Sequence, residues 1–221
     1  MTMIKINMSI LDEPIEVVGL TSIAIEQKSL FSQMIKYLHE YTEESDDLKI
    51  FDKKYKSLKA SDLLVVTDIL NFDFNQTTIS KLITEDIFQL ISDEPELKNH
   101  IEKHLVDATA LIEKTLLDFE INLVSKEMNI ESFIKALGIR VETEGSSVFE
   151  CVLDIIQVFK YLSKKRLLVF VNLGTFLTEQ EVKTVEEYVE LQNLSVLLID
   201  NIAVKGVGNQ AIIDEDFVVL T

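Results

Sequence analysis

Three short apolar runs constrain the fold of this chain more than any other feature. One is Leu167–Asn172 (LLVFVN), and another is Val196–Asp200 (VLLID). Continuous apolar runs of this length predict strands that are buried on both faces, as in a parallel sheet. Because a helical pattern separates these two, they predict a β–α–β unit. A third run, Leu63–Asp68, lies far earlier in the chain, and we expect all the strands to join one sheet.

The composition excludes several classes of protein. The chain has 221 residues, of which 47% are hydrophobic, so it is not disordered. Its apolar runs are too short to span a membrane, and acidic residues follow too closely on the N-terminus for a signal peptide. Cys151 is the single cysteine, so no disulfide can form within the chain. We therefore expect a cytoplasmic protein with no membrane partner.

The remaining periodicity predicts an α/β domain that is interrupted by helices. Apolar residues at helical spacing predict helices near 27–41 and 79–90 and a long helix that begins at Pro95. Further helices are expected before Gly138, after Ser147 and after Thr178. Residues 1–92 and 164–221 are assigned to the α/β domain and residues 93–163 to a helical domain. Further strands are expected at Ile4–Ile10, Val17–Ile25, Leu48–Phe51 and Phe217–Leu220.

Motifs for phosphate binding and catalysis are missing. The sequence has no G-x-x-x-x-G-K-[ST] loop, and Gly206 with Gly208 is read as a plain turn. Asp68 and Asp200 end predicted strands, as a magnesium-binding acid of an NTPase would, but without that loop a structural role is favoured. His100 and His104 lack the H-E-x-x-H pattern of metalloproteases and indicate a solvated helix face.

Acidic residues cluster in and beside the turns between the predicted helices. Calcium is bound by six to eight oxygen ligands, which separate segments of this kind could supply. Two interpretations remain open, a calcium site and a set of solvated acids. Glu150 has a separate explanation, because it stands at the third position after Ser147 in a capping box. The acids are Asp118, Glu120, Glu127, Glu131, Glu142, Glu144 and Glu150.

Basic residues are concentrated in two stretches. The first holds Lys53, Lys54, Lys56 and Lys59, and the second holds Lys164, Lys165 and Arg166. The net charge of the whole chain is −17, which taken alone argues against a nucleic-acid partner. The uneven distribution nevertheless allows phosphate binding at these lysines, and a solvated face is the alternative.

An ordered set of segments along nearly the whole chain carries a family resemblance. The segments are Lys5–Asn7, Ile10–Pro14, Lys56–Ala60, Val66–Leu70, Leu137–Gly138, Val141–Thr143, Ile156–Val158, Tyr161–Leu162, Lys164–Lys165 and Leu167–Asn172. In these segments the chain resembles the small CRISPR-associated proteins of type II-A systems that act in spacer acquisition. The resemblance implies an α/β head related to P-loop ATPases, without the nucleotide site, and an inserted α-helical leg.

The resemblance also implies a function. Members of the family form ring-shaped homotetramers, bind double-stranded DNA ends through a positively charged hole, require calcium and have no catalytic activity. We therefore predict DNA contacts at Lys53, Lys54, Lys56, Lys59, Lys164 and Lys165, and Ca²⁺ ligands at Glu120, Asn122, Glu127, Glu142 and Glu150. Other CRISPR adaptation proteins are expected partners. The alternatives are a metal-dependent NTPase or nuclease and an adaptor that binds proteins through its acidic surface.

Two departures from the family pattern stand out. The positions that match Asn122 and Lys126 are usually acidic in the family, so fewer calcium ions are expected here. A Lys ammonium beside Ca²⁺ is repulsive. Near the C-terminus, Ala203–Gln210 replaces a tail that contains proline and aromatic residues in close relatives.

Overall fold

Strands and helices follow one another in much the order that the apolar pattern predicts. The structure is a computed structural model, and it describes residues 3–11, 13–143, 147–216 and 218–220. The strands are β1 (Ile4–Met8), β2 (Ile15–Val17), β3 (Leu20–Ile25), β4 (Leu48–Asp52), β5 (Leu63–Val66), β6 (Leu167–Val171), β7 (Val196–Asp200), β8 (Asn209–Ile213) and β9 (Val219–Leu220). The helices are α1 (Lys28–His39), α2 (Thr77–Asp93), α3 (Pro95–Leu116), α4 (Ile130–Ala136), α5 (Val148–Tyr161) and α6 (Glu179–Leu191).

The three apolar runs form three adjacent strands of a six-stranded mixed sheet. Its order is β5-β6-β7-β3-β8-β9, in which only β9 pairs antiparallel to its neighbour. β6 and β7 lie side by side in parallel, with Val169 opposite Leu197, and every residue of both strands is buried. The predicted β–α–β unit is thereby confirmed. Burial on both faces explains why these segments are apolar throughout instead of alternating.

The strands form two sheets, whereas the sequence predicted one. β1 pairs antiparallel with β2 and β4, so the second sheet has the order β2-β1-β4. The predicted strand Val17–Ile25 is divided at Gly19, whose φ of 59° turns the chain from β2 into β3. A left-handed conformation of this kind is open to glycine at little cost. The apolar pattern alone does not show that the chain changes sheets here.

One strand was not predicted. β8 has the sequence NQAII, and only Ala211 and Ile213 are buried in it. The polar first residue of β8 forms a hydrogen bond to the neighbouring strand β3, since Asn209 Nδ2 donates to Thr21 Oγ1 at 2.9 Å. The last two residues of the segment that departs from the family pattern, Asn209 and Gln210, thus begin a sheet strand. Of the predicted final strand, Val219 and Leu220 form β9, and Phe217 lies outside the described residues.

The predicted helix boundaries agree with the structure at three caps. Ser147 Oγ accepts from the Glu150 N–H at 3.2 Å while the Glu150 carboxylate accepts from the Ser147 N–H at 3.0 Å. The same reciprocal pair joins Thr178 and Glu181 at the start of α6. Gly138 follows α4 with a φ of 62°. These confirmed signals are local, so they can be recognised without knowledge of the tertiary fold.

The chain divides into two compact units, which we call the sheet unit and the helical unit. The sheet unit comprises Met1–Phe72 and Thr143–Thr221, and the helical unit comprises Asp73–Glu142. The boundaries lie about twenty residues before the expected ones, so α2 joins the helical unit and α5 joins the sheet unit. The reason is burial: four apolar residues of α5 are buried, and Cys151 Sγ donates to the Ile69 carbonyl at 3.4 Å.

Within the helical unit, α2, α3 and α4 pack around a small apolar core of Leu105, Ile130 and Ile134. A pair of hydrogen bonds joins the two ends of the unit. Asn75 Nδ2 donates to the Val141 carbonyl at 3.1 Å, and the Val141 N–H donates to Asn75 Oδ1 at 2.8 Å. Among the described residues, no helix is both long and apolar enough to cross a membrane.

Candidate nucleic-acid interface and acidic segment

The first basic stretch forms a turn, here called the lysine loop (Asp52–Lys59), that is organised by one carboxylate. Asp52 Oδ1 accepts hydrogen bonds from the N–H groups of Lys54 at 2.9 Å and Lys56 at 3.1 Å. The Asp52 N–H donates to the Lys56 carbonyl at 3.0 Å, which closes the turn. These backbone N–H donors, with the Arg166 guanidinium, hold the pKa of Asp52 below its usual range. The loop backbone is therefore fixed by bonds that use no lysine side chain.

The four lysine side chains of the loop point to solvent. Lys53, Lys54, Lys56 and Lys59 are all exposed. Within the part of the chain that the structure describes, no carboxylate lies within 4.0 Å of any of their ammonium groups. A phosphate group can therefore pair with them without displacing an existing ion pair, in a chain whose net charge is −17.

The second basic stretch lies next to the lysine loop, although far from it in sequence. Arg166 Nη2 lies 3.4 Å from Asp52 Oδ2, and the Arg166 N–H donates to the Asp62 carbonyl at 2.7 Å. Lys165 Nζ donates to the Leu63 carbonyl, and burial lowers the pKa of this ammonium group. Lys165 is thus engaged within the fold, whereas Lys164 is exposed. The Arg166 guanidinium also offsets the negative charge of Asp52, the first residue of the lysine loop.

Tyr55 is a feature of the loop that the sequence analysis did not single out. Its backbone is left-handed, with a φ of 59°, and its side chain is 75% exposed. The ring stacks on Phe51 with centroids 5.5 Å apart and planes inclined by 21°. The available sequence signal was an aromatic residue between lysines, in the order KKYK.

The acidic residues are distributed over both units. Glu120 and Asn122 line a depression of about 620 Å³ in the helical unit, together with Glu113, which accepts a hydrogen bond from Ser125. Glu127 and Glu142 are exposed and do not line that depression. Glu150 belongs to the sheet unit, where it caps α5, and Glu144 lies outside the described residues.

The donor chemistry of these residues fits a hard cation, but their arrangement is not that of a formed site. Among the described residues, no three histidine, cysteine or acidic side chains are close enough to hold a metal ion. Hard oxygen ligands must surround Ca²⁺ at about 2.3–2.6 Å. Calcium binding by Glu120, Asn122, Glu127, Glu142 and Glu150 therefore stays a prediction.

The two acids at strand ends have separate structural roles. Asp68 accepts from the N–H and the side-chain amide of Asn71, which lowers its pKa. Asp200 is 0% exposed, and its Oδ1 accepts from the Gly174 N–H at 2.9 Å. Its Oδ2 has no hydrogen-bond partner among the residues that the structure describes. Burial raises the pKa of Asp200 to about 6. A fully buried carboxylate offers no open face to a nucleotide-bound metal.

Comparison with known proteins identifies the family. The family model of CRISPR-associated protein Cas_Csn2 matches residues 40–217. The chain belongs to the Csn2 family. It is 42% identical to the CRISPR-associated protein Csn2 of Streptococcus agalactiae over 97% of this chain and 96% of that one. It is 41% identical to the protein of the same name from Enterococcus faecalis, over 96% of each chain.

A solved structure of low sequence identity shares the fold. The crystal structure of Stu0660 of Streptococcus thermophilus superposes with a TM-score of 0.56 at 13% identity, covering 89% of this chain and 68% of that one. At this identity the likeness concerns the fold alone. The residues that match the Csn2 family model include both the lysine loop and the acidic residues between Asp118 and Glu150. The expected membership of a CRISPR-associated family is thereby confirmed.

Proposed function

We propose that this protein is a non-catalytic protein that binds the ends of double-stranded DNA during CRISPR spacer acquisition. The single observation that carries the proposal is the lysine loop, with four exposed ammonium groups that pair with no carboxylate of the described residues, on a chain of charge −17. Contacts of lysine to phosphate fix a protein on a duplex without reading its sequence. Membership of the Csn2 family supports a role in a CRISPR system.

The proposed assembly is a ring-shaped homotetramer. Exposed apolar side chains of the helical unit support it, since large apolar patches on a surface mark contacts with other proteins. They include Leu111, Ile112, Leu117, Phe119, Ile121 and Val124. Four copies of the lysine loop around one axis would multiply the positive charge at the hole. Other CRISPR adaptation proteins, in the cytoplasm, would then meet the DNA-bound ring.

The absence of catalysis belongs to the same proposal. The sheet unit would be a P-loop ATPase fold that has lost its nucleotide site. In such proteins a strand is followed by a glycine-rich loop and a helix. Here β3 leads into α1 through Glu26 and Gln27, so no glycine-rich cradle can form there. The burial of Asp200 argues in the same direction against an NTPase or nuclease.

Linear duplex DNA is expected to bind, and covalently closed circles are not. A closed ring can be threaded only from a free end, so topology should decide binding at equal sequence and length. The measurement is a gel-shift titration in Ca²⁺ with one plasmid, either relaxed and closed or cut once. Equal affinity for the two forms would exclude threading.

Blocked ends provide the matched control. Biotin at both ends of a linear duplex, covered by streptavidin before the protein is added, should prevent loading. The same block added afterwards should trap the protein on the DNA at salt concentrations that release it from open ends. Unimpeded loading onto pre-blocked DNA would contradict end entry even if linear DNA is bound tightly.

Calcium is expected to raise the melting temperature. A ligand that binds only the folded state stabilises it by about 2.7 kcal/mol at a hundredfold excess over its dissociation constant. Ca²⁺ would also relieve repulsion between the acids that it gathers. The measurement is thermal unfolding in Ca²⁺, in Mg²⁺ and in chelator, with the elution volume recorded in each.

Two variants sharpen the calcium test. Glu120→Gln with Glu127→Gln should abolish the shift, whereas Asn122→Asp with Lys126→Glu, which restores the family pattern, should enlarge it. Asp107→Asn on α3 serves as a control, because that acid is exposed and is not among the predicted ligands. Identical melting curves with and without Ca²⁺ in all four proteins would refute the calcium prediction.

A further inference from the structure

The tip of the lysine loop carries an exposed aromatic ring, that of Tyr55, which is not part of the hydrophobic core. Tyr55 is 75% exposed, and its ring stacks on that of Phe51. Its φ of 59° lies in a region that disfavours residues with a bulky side chain and is commonly filled by glycine, asparagine or aspartate. A tyrosine at this position therefore carries a conformational cost that asparagine or glycine would avoid.

The loop backbone presets the position of this ring. The Tyr55 N–H donates to the Asp52 carbonyl at 2.8 Å, and its two neighbours, Lys54 and Lys56, both donate to Asp52 Oδ1. On the other side of the turn, the Leu58 N–H donates to the Ile50 carbonyl at 2.8 Å and joins the loop to β4. An exposed ring on a backbone held from both sides loses little conformational entropy when it binds.

The surroundings of the ring select the class of ligand. Lys53, Lys54 and Lys56 flank it with exposed ammonium groups that pair with no carboxylate of the described residues. Arg166 forms an ion pair with Asp52, the acidic residue of the loop. An aromatic ring stacks on the faces of bases, and the ammonium groups beside it pair with phosphates, which is the arrangement of proteins that bind exposed bases. In an intact duplex only the terminal base pair and unpaired overhangs offer such faces.

We propose that Tyr55 stacks on the terminal or overhanging base of a DNA end while the neighbouring lysines hold its phosphates. This inference rests on the proposed function, and it assigns to the loop the ability to distinguish an end from the interior of a duplex. Lysines alone bind phosphates at both places. The ring adds a contact that only an end can make.

The test compares Tyr55→Asn with Tyr55→Phe. Asparagine accepts the left-handed backbone and removes the ring, so the loop should fold at least as well as before. Phenylalanine keeps the ring. Tyr161→Ala is the matched control, because Tyr161 is 64% exposed in the same unit and also lies beside a lysine. The probe is a short duplex with a 3′ overhang that carries 2-aminopurine at its last base, and a second duplex carries it internally.

Wild type, Tyr55→Phe and Tyr161→Ala should quench the terminal probe, and Tyr55→Asn should not. The affinity of Tyr55→Asn for the overhang should fall roughly tenfold or more, with an unchanged salt slope because no charge is lost. Quenching and affinity of Tyr55→Asn equal to wild type would overturn the assignment of Tyr55 and leave DNA binding intact. Failure of wild type to bind either duplex would overturn both proposals.

Discussion

Reversing Lys53 and Lys54 to glutamate will weaken the binding of linear duplex DNA on the order of a hundredfold or more at moderate salt. The double variant removes two ammonium groups per chain from the lysine loop and replaces them with carboxylates that repel phosphate. All duplex sequences should be affected alike, because contacts to phosphate carry no sequence information. The plot of log affinity against log salt should flatten, since its slope is about −0.9 per neutralised phosphate.

The measurement is a salt titration of binding for wild type and variants, with the oligomeric state checked in parallel. Lys28→Glu with Lys36→Glu is the matched control, because both lysines are exposed on α1 of the same unit and the change in net charge is equal. That control should lose far less affinity. If the loop variant retains full binding, the interface lies elsewhere, and Lys164 becomes the next candidate, since the ammonium group of Lys165 is bound to the Leu63 carbonyl.

Replacement of Asp200 by asparagine will stabilise the protein at neutral pH. The carboxylate is 0% exposed, and its Oδ2 has no partner among the described residues. Burial therefore disfavours the charged form and raises its pKa from 3.8 to about 6. Asparagine keeps an oxygen to accept from the Gly174 N–H and carries no charge. We expect a gain of about 1–3 kcal/mol in the free energy of unfolding near neutral pH.

The sign of the pH dependence follows from the raised pKa. Between about pH 4 and about pH 6, the folded protein holds a proton that the unfolded chain has already released. The contribution of Asp200 to stability is therefore greatest at low pH and falls as pH rises through this window, by roughly 3 kcal/mol in total. The difference between Asp200→Asn and wild type should grow over the same window and then become constant.

Urea unfolding of both proteins at a series of pH values measures this difference, and other titrating groups cancel in it. Both are studied at one protein concentration, because assembly makes stability concentration-dependent. Asp200→Ala is the control that also removes the acceptor for Gly174, and it should be less stable than Asp200→Asn at every pH. A pH-independent difference between Asp200→Asn and wild type would show that the pKa of Asp200 is the same in the folded and unfolded states, and it would refute the prediction.

Local signals in the sequence predicted local structure well. The reciprocal caps at Ser147 and Thr178 and the left-handed Gly138 were all recognisable from a few neighbouring residues. The buried strands β6 and β7 were equally clear, because both of their faces are covered and both must be apolar. The strand β8 was missed, since its polar residues are satisfied by partners on β3 that no sequence pattern reveals.

The candidate site was predictable in composition and not in geometry. The lysines of the loop were found by counting charge, but the role of Asp52 in closing the turn depends on backbone conformation. Lys165 is partly buried and donates to the Leu63 carbonyl, so its role differs from that of Lys164. A run of three basic residues in the sequence does not indicate which of them is buried. The proximity of Arg166 to Asp52 depends on the parallel pairing of β5 with β6, a contact between distant parts of the chain.

The paired hydrogen bonds of Asn75 and Val141 have a consequence for how this architecture can change in evolution. They join residues 66 positions apart, so the helical unit begins and ends at one hydrogen-bonded point. An insertion whose ends are held together can change in length without moving those ends apart, and the cost of closing a loop rises slowly with its length. Helical turns can therefore be added or removed between residues 76 and 140 while Asn75 and Val141 stay hydrogen-bonded to each other. The length of the helices in this unit can therefore differ between relatives while the strands that carry the lysine loop stay unchanged.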